Sequence, residues 1–152
     1  MRTYPTRPMV GVGATILRGD HVLIVQRGRE PAYGKWSLPG GLVELGESLH
    51  SAICREVLEE ANLQVAVVDV VAVLDRVLPD DDGRVEYHYI LVDFLCRCDV
   101  GEPSPGSDVL ACCFVPVSNL GRYSLTSGTL VVVQKALSMR QGSHLPIYDR
   151  TL

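Results

Sequence analysis

Three glutamates spaced as one helical face are the residues of this chain best suited to chemistry. Glu56, Glu59 and Glu60 stand at positions i, i+3 and i+4, which places their carboxylates on one side of an α-helix. Like charges crowded beside an apolar face repel one another and lose hydration unless a cation lies between them. Mg²⁺ suits such a cluster, because it binds one or two carboxylates and completes its shell with water and substrate phosphates. The spacing therefore favours a divalent-cation site, although the same run could be a solvated helix face with weak ion pairs.

An apolar stripe beside these glutamates predicts the helix that carries them. Leu49, Ile53 and Val57 recur at about 100° per residue and form one face of a helix. We therefore expect a helix from about Leu49 to Ala61. Ser48 is expected to be its N-cap, because a serine hydroxyl accepts a hydrogen bond from the first turn.

The residues before this helix are expected to fix its position. Gly40 and Gly41 follow Pro39 and indicate that the stretch opens in a turn. Arg55 lies next to the glutamates and could pair with Glu47. Such a pair would tie the preceding loop to the helix.

The stretch GLVELGESLHSAICREVLEEANL resembles the signature of the Nudix hydrolases, which places a glycine, a glutamate, an Arg-Glu pair and a Glu-Glu pair at fixed spacing. With each residue type at several per cent of ordinary composition, a chance match is on the order of 10⁻⁸ per window. Asn62 departs from the pattern, since the family has a glycine there that ends the helix in a left-handed conformation. Asparagine is the next-best residue for that conformation. The matching positions are Gly41, Glu47, Arg55, Glu56, Val57, Glu59, Glu60 and Leu63.

The resemblance implies both a fold and a reaction. The implied fold class is α/β, a Nudix-type α/β/α sandwich with a mixed β-sheet flanked by helices. The implied reaction is metal-dependent hydrolysis of the pyrophosphate bond of a nucleoside diphosphate linked to another moiety, with Mg²⁺ or Mn²⁺ as the cofactor. The implied metal ligands are Glu56, Glu59, Glu60 and the main-chain carbonyl of Gly41.

The general base stays open between the signature and a distant loop. Glu60 or Glu56, acting through a metal-bound water, is the first choice by resemblance. Asp108 is the best remote candidate, although it could equally be an ordinary turn aspartate. Glu47 is expected to orient Arg55, or a water that is hydrogen-bonded to a metal ligand, rather than to act as the sole base. The candidate catalytic set is Glu47, Arg55, Glu56, Glu59, Glu60 and Asp108.

Three other runs resemble the Nudix enzymes that act on ADP-ribose, and the similarity covers roughly residues 10–137. The runs are RGREPAYGKWSLPGG (27–41), EYHYILVDFLCR (86–97) and FVPVSNLGRYSLTSGT (114–129). The resemblance implies hydrolysis of ADP-ribose to AMP and ribose 5-phosphate. The alternatives are a nucleotide sugar, a dinucleoside polyphosphate or an (oxidised) nucleoside triphosphate as substrate. If the chain is not an enzyme, the alternative is a Nudix-fold module that binds a ligand without hydrolysing it.

Substrate binding requires positive charge for the phosphates and a flat surface for a nucleobase. Arg27 and Arg29 precede the glycine pair and could hold a pyrophosphate through bidentate hydrogen bonds. Strand alternation would place the side chain of His88 on the face opposite to its neighbours. The candidates for base stacking are Tyr33, Tyr87, Tyr89 and His88.

We expect an N-terminal arm over residues 1–9 and a single domain over residues 10–152. The turn at Arg18–Asp20 predicts that the first two strands form a hairpin. The predicted strands are Val10–Leu17, His21–Arg27, Gln64–Leu78, Val85–Cys98 and Val109–Val115, with a second helix over Thr126–Met139.

Composition limits the partners of the chain. Its 152 residues carry a formal net charge of −4, which argues against an extended nucleic-acid surface. No run approaches the roughly 18 apolar residues of a membrane span. Five cysteines, an odd number, fit a reducing compartment better than a disulfide framework. We therefore expect a cytoplasmic protein that binds a small nucleotide and no membrane, and a homodimer stays open.

Overall fold

The computed structural model describes residues 2–149 and contains a mixed sheet with a helix on each face. The helices are α1 (Leu49–Ala61) and α2 (Thr129–Arg140), with a 3₁₀-helix at Val117–Arg122. The strands are β1 (Met9–Arg18), β2 (His21–Arg27), β3 (Trp36–Ser37), β4 (Gly40–Leu42), β5 (Ala66–Pro79), β6 (Val85–Arg97), β7 (Val109–Pro116) and β8 (Tyr148–Asp149).

Strand β1 lies in the middle of the sheet and connects its parts. It runs parallel to β6 and antiparallel to β4. Beyond β6 the sheet continues through β5 to the short parallel strand β8. On the other side β2 pairs with β1, β3 and β7. The predicted mixed sheet flanked by helices is confirmed.

Two apolar cores result from the alternation of side chains along β1. Val12, Ala14 and Ile16 point to one face, where α1 buries Ile53 and Val57 against them. On the opposite face α2 covers a second core. That core contains Leu17, Leu95, Val132, Val133 and Ala136. Gly11 and Gly13 occupy the α2 face of β1 without filling it, and a cavity lies there.

Helix α1 has the predicted bounds and both predicted ends. The side chain of Ser48 accepts a hydrogen bond from the Ser51 amide at 3.0 Å. Asn62 ends the helix in the left-handed region, with φ of 56° and ψ of 35°. Its side-chain amide also donates to the carbonyl oxygen of Ser104 at 2.8 Å. Asparagine therefore replaces a glycine here and adds a hydrogen bond to the loop before β7.

The first two strands form much less of a hairpin than the turn at Arg18–Asp20 predicts. Their register joins only Leu17 to Val22 and Arg18 to His21. The two chains then separate, because β1 continues beside β6 while β2 continues beside β7. Pairing with β6 and β7, which are distant in the sequence, therefore replaces most of the local pairing between β1 and β2.

The predicted turn at Gly40 and Gly41 is wrong, because both residues belong to β4 and pair with β1. Glycine is required at both positions because neighbouring atoms lie where a side chain would begin, and not because the chain turns there. A Cβ on Gly40 would collide with the backbone oxygen of Val12, and one on Gly41 would collide with the carboxyl group of Glu56.

The second helix begins later than predicted, at Thr129 instead of Thr126. Gly128, with φ of 88°, turns the chain before it.

Neither α1 nor α2, the two α-helices within residues 2–149, is long and apolar enough to cross a bilayer.

The described part of the N-terminal arm contacts the sheet. The backbone amide of Tyr4 donates to the carbonyl oxygen of Glu86 at 2.8 Å, and its hydroxyl donates to Asp80 at 3.0 Å. The guanidinium of Arg84 lies over the Tyr4 ring. These contacts place Arg2 beside the cavities described below.

Candidate active site

The glutamates of α1 line a cavity of about 450 Å³ between that helix, β4 and the loop before β7. Glu56 and Glu60 are partly buried at its inner side and Glu59 is exposed. Glu60 accepts a hydrogen bond from the amide of Gly40 at 2.8 Å. Strand β4 and helix α1 therefore meet at a carboxylate, which is the position that the sequence predicts for a cation site.

Arg55 organises the acidic side chains around it. Its Nε and Nη2 atoms donate to the two carboxylate oxygens of Glu47 at 2.7 and 2.9 Å, which confirms the predicted pair. Its Nη1 atom donates to Glu56 at 2.8 Å and to Glu59 at 3.3 Å. Nη2 also reaches the carbonyl oxygen of Leu42 at 3.1 Å. One guanidinium thus links the preceding loop, β4 and α1.

The carboxyl groups of the site differ in acidity. Burial raises the pKa of Glu60 to about 7, and repulsion from Glu56 acts in the same direction. Burial likewise raises the pKa of Glu56, against the pull of Arg55. The hydrogen bonds from Arg55 lower the pKa of Glu47 to about 2. Glu47 is therefore a fixed anion at neutral pH, whereas Glu60 is able to exchange a proton.

The chemistry of these residues fits a hard divalent cation. Carboxylate and carbonyl oxygens are the ligands that such cations prefer. Because Gly41 has no side chain, the carboxyl group of Glu56 lies directly against the backbone of β4. Within residues 2–149, no three acidic, cysteine or histidine side chains converge on one point as they stand. Glu56 and Glu59 contact Arg55 instead. Glu56, Glu59 and Glu60 would hold a cation once the contact of Glu59 with Arg55 opens.

The loop that carries Asp108 is hydrogen-bonded to the end of α1. The amides of Ser104 and Gly106 donate to the carbonyl oxygens of Ala61 and Glu60 at 3.0 and 3.1 Å. These bonds satisfy carbonyls that a helix end leaves unpaired. Asp108 consequently lies in the wall of the same cavity, so the loop is positioned by the helix that bears the glutamates.

Both predicted phosphate-binding arginines line this cavity. Arg29 forms an ion pair with Asp108, and both side chains are about half exposed. Arg27 donates from Nε to the carbonyl oxygen of Pro31 at 2.8 Å. Burial lowers the pKa of Arg27, while the charge of Glu60 opposes that shift.

A second cavity, of about 150 Å³, continues from the first on the α2 side of the sheet. Asp93, Tyr89 and Arg76 line it, as do Gly11 and Gly13. Both cavities share a wall formed by Arg2, Arg27, Ser37, Leu38, Gly40, Gly41 and Leu42. Sequence reasoning missed Arg2, Arg76 and Asp93. A lone aspartate inside the apolar run YILVDFLC was the available signal.

Three of the residues predicted to bind a nucleobase line neither cavity. Tyr33 lies in a loop and is 58% exposed. Tyr87 is buried and stacks on Tyr89, with ring centroids 6.1 Å apart. His88 takes the opposite face of β6 by strand alternation. Tyr89, the fourth aromatic candidate, lines the smaller cavity, as does the loop that precedes α2.

Comparison with known proteins identifies several relatives. The family model described as the NUDIX domain matches residues 7–135. An ADP-ribose pyrophosphatase of Methanocaldococcus jannaschii is 34% identical over 77% of this chain and 67% of its own length. A Mycobacterium tuberculosis protein, provisionally named 8-oxo-dGTP diphosphatase 2, is 39% identical over 72% of this chain and 74% of its own.

Solved structures agree with this fold. A crystal structure of an ADP-ribose pyrophosphatase from Streptococcus suis superposes with a TM-score of 0.72 at 30% identity, covering 94% of this chain and all of the other. The MutT NUDIX hydrolase of Burkholderia pseudomallei superposes with a TM-score of 0.74 at 29% identity, covering 85% of this chain and 98% of the other.

Proposed function

The chain belongs to the NUDIX domain family and is a Nudix pyrophosphohydrolase, and we propose that it hydrolyses ADP-ribose to AMP and ribose 5-phosphate with Mg²⁺ or Mn²⁺. The observation that carries the proposal is a pair of joined cavities. One contains the acidic face of α1, and the other is an apolar chamber on the far side of the shared wall. A pyrophosphate in the first cavity would leave one half of the substrate to enter the second.

The proposed reaction uses the chain's own charges in distinct roles. A bound divalent cation would screen the pyrophosphate and lower the pKa of a bound water. Arg27, which lines both cavities, binds the phosphate oxygens. Glu60 accepts the proton of the attacking water, because its carboxylate lies at the inner side of the cavity, where the amide of Gly40 holds it in place. The water oxygen bonds to phosphorus, the anhydride P–O bond breaks, and the second phosphate leaves.

Arg55 and Glu47 act as positioning residues in this proposal. The two side chains form a bidentate ion pair, and Arg55 directs the carboxylate of Glu56 toward β4. Asp108, the remote base candidate, is held by Arg29 in the wall of the same cavity. We assign it to the electrostatics of the cavity wall, since its carboxylate is already paired with the guanidinium of Arg29.

A second substrate class has its own support. The Mycobacterium tuberculosis relative named for 8-oxo-dGTP has a sequence identity of 39% to this chain over 110 residues. The Methanocaldococcus pyrophosphatase has 34% over 117 residues. Hydrolysis of a nucleoside triphosphate would release pyrophosphate, whereas hydrolysis of ADP-ribose would not. Product analysis therefore separates these two reactions.

The proposal is tested by a substrate panel assayed with Mg²⁺ and with Mn²⁺. The panel contains ADP-ribose, nucleotide sugars, dinucleoside polyphosphates and (oxidised) nucleoside triphosphates, with chromatographic identification of products. We expect AMP and ribose 5-phosphate from ADP-ribose, and a fall in kcat on the order of 100-fold or more in Glu60→Gln. Glu102→Gln, at an exposed position outside both cavities, is the matched control.

Three outcomes would revise the assignment. Pyrophosphate as the main product would favour the triphosphate alternative. Unchanged activity in Glu60→Gln would remove the proposed base. Tight nucleotide binding without turnover would favour a ligand-binding module, the alternative outside the enzymes.

We also propose a cytoplasmic location, which the free state of all five cysteines supports. The possible homodimer stays a prediction, which light scattering of the purified chain would test.

A further inference from the structure

The small cavity contains a carboxyl group that the proposed hydrolysis does not use. Asp93 on β6 is 7% exposed, and that exposure opens into the cavity. Within residues 2–149 its carboxylate forms no hydrogen bond and no ion pair, although Arg76 is near enough to favour its charged form. Leaving a buried carboxylate without a donor is costly. A ligand that donates a hydrogen bond would remove that cost.

The cavity holds a second polar atom without a partner. Tyr89 is also 7% exposed, and its hydroxyl is buried with no hydrogen-bond partner among the described residues. Tyr89 precedes Asp93 on the same strand, and both line the cavity. Buried polar groups in folded proteins are nearly always paired. Two unpaired groups in one cavity therefore point to a polar edge of a ligand.

The remaining walls indicate the shape of that ligand. Leu38, Leu74, Leu91 and Val132 supply apolar surface. The volume of about 150 Å³ equals that of an engineered cavity that binds benzene. A flat ring system with a polar edge suits such a chamber.

The pairing of the strands places Asp93 close to the wall that the two cavities share. Gly13 on β1 pairs with Gly40 on one side and with Asp93 on the other. Because Gly13 has no side chain, the carboxyl group of Asp93 reaches over it toward β4, where the amide of Gly40 holds Glu60. A ligand that enters the chamber from the first cavity therefore meets this carboxyl group.

We propose that Asp93 is a specificity-determining residue that accepts a hydrogen bond from the exocyclic amino group of a nucleobase, and that the chamber therefore selects nucleotides with an amino base over their keto analogues. The inference rests on the proposed function, in that a nucleotide occupies the joined cavities. It does not depend on which amino-bearing nucleotide is hydrolysed. A keto oxygen at the same place faces the carboxylate and is repelled by it.

Turnover of matched nucleotide pairs tests the selection. The pairs are ADP-ribose with IDP-ribose and CTP with UTP, in which a keto oxygen replaces the amino group, and dGTP with dITP, in which hydrogen replaces it. The assays run at about pH 8.5, above the raised pKa of Asp93, so that the carboxyl group only accepts. We expect kcat/KM to favour the amino member of the hydrolysed pair about tenfold or more.

Two substitutions link that preference to the chamber. Asp93→Asn exchanges one acceptor for an amide that donates, so the ratio within a pair should fall toward one or invert. Asp81→Asn, at an exposed position outside both cavities, should leave the ratio unchanged. Tyr89→Phe removes only the unpaired hydroxyl and should raise KM for both members.

Binding of the products AMP and IMP, measured by calorimetry, supplies a readout that needs no turnover. We expect AMP to bind about tenfold or more tightly than IMP, and Asp93→Asn to remove the difference. Equal affinity, binding of neither, or a ratio unaffected by Asp93→Asn would overturn the inference. Failure to hydrolyse ADP-ribose while AMP is still preferred would count against the proposed substrate alone.

Discussion

Arg55 serves as the common counter-charge of the acidic site, so its shape matters as well as its charge. A lysine retains the positive charge but cannot make the bidentate contact with Glu47 while also reaching Glu56 and Leu42. We expect Arg55→Lys to lower kcat on the order of 100-fold through misplaced carboxylates. Arg97→Lys, at an exposed ion pair outside both cavities, is the control for steady-state assays. A near-normal kcat in Arg55→Lys would contradict the positioning role.

The carboxyl group of Asp93 makes a separate prediction about stability. Burial raises its pKa from 3.8 to about 7, so between those pH values the folded chain binds more protons than the unfolded chain. The contribution of Asp93 to the free energy of unfolding therefore falls as pH rises through that window, by at most about 1.4 kcal/mol per pH unit. Asparagine does not titrate. We expect the stability of Asp93→Asn relative to the natural chain to increase from about pH 4 to pH 7 in urea unfolding. Parallel pH profiles would disprove this pKa.

At the scale of elements, the contact between β4 and α1 depends on a missing side chain. A Cβ at Gly41 would occupy the position of the Glu56 carboxyl group. We expect Gly41→Ala to move that carboxylate away from Arg55 and to lower kcat on the order of 100-fold. Gly121→Ala is the matched control, because open space surrounds the Cβ there. Kinetics beside thermal unfolding would show whether the loss is local, and normal kinetics in Gly41→Ala would refute the close contact.

The end of α1 carries a further prediction. Asn62 adopts a left-handed conformation and donates to Ser104, whereas alanine is strained there by about 1–2 kcal/mol and donates nothing. Asn62→Ala should therefore lower the free energy of unfolding by more than Asn62→Gly, which keeps the conformation. Chemical denaturation measures both, and equal losses would assign the whole effect to the hydrogen bond.

The sequence predicts local features of these elements well and long-range features less well. The bounds and caps of α1 follow from an apolar period, a serine and an asparagine that act within a few residues. The pairing of β1 with β6 joins Met9 to Tyr89, and no neighbouring residue encodes that register. The turn at Gly40 was wrong for the same reason, because the glycine accommodates the backbone of Val12.

The same limit applies to the candidate site. The glutamates, Arg55 and Glu47 are neighbours along one helix and its loop, so their spacing indicates the cluster. Asp93 and Arg76 reach the second cavity from two different strands, and only the sheet brings them together. Tyr33 is aromatic and near the site in sequence, yet its exposed loop position keeps it out of both cavities.

At the scale of the whole molecule, charge is distributed unevenly. The chain has a formal net charge of −4, yet Arg2 and Arg27 line both cavities and Arg76 lines the smaller one. Arginines in a cleft attract an anionic substrate even when the net charge repels it.

The N-terminal arm contributes one of these charges. Contacts of Tyr4 with the β5–β6 region hold the arm, so Arg2 reaches the cavities from outside the sheet. We expect Arg2→Ala to raise KM about tenfold with little change in kcat, since it loses a charge-assisted contact. Arg7→Ala, an exposed arginine of the same arm outside both cavities, should leave KM unchanged. A KM effect shared by both variants would indicate loss of general charge.

Gly11 and Gly13 form the floor of the small chamber and constrain how this enzyme could be redesigned. A side chain at Gly11 would approach Leu91 within 2.7 Å, and one at Gly13 would collide with Asp93. Every substitution at these two positions adds atoms, so a mutational library there can only shrink the chamber. The walls at Leu74, Leu91 and Val132 can become larger or smaller. Variants that accept a bulkier substrate should therefore arise from the walls, and a selection experiment gains by leaving the floor fixed.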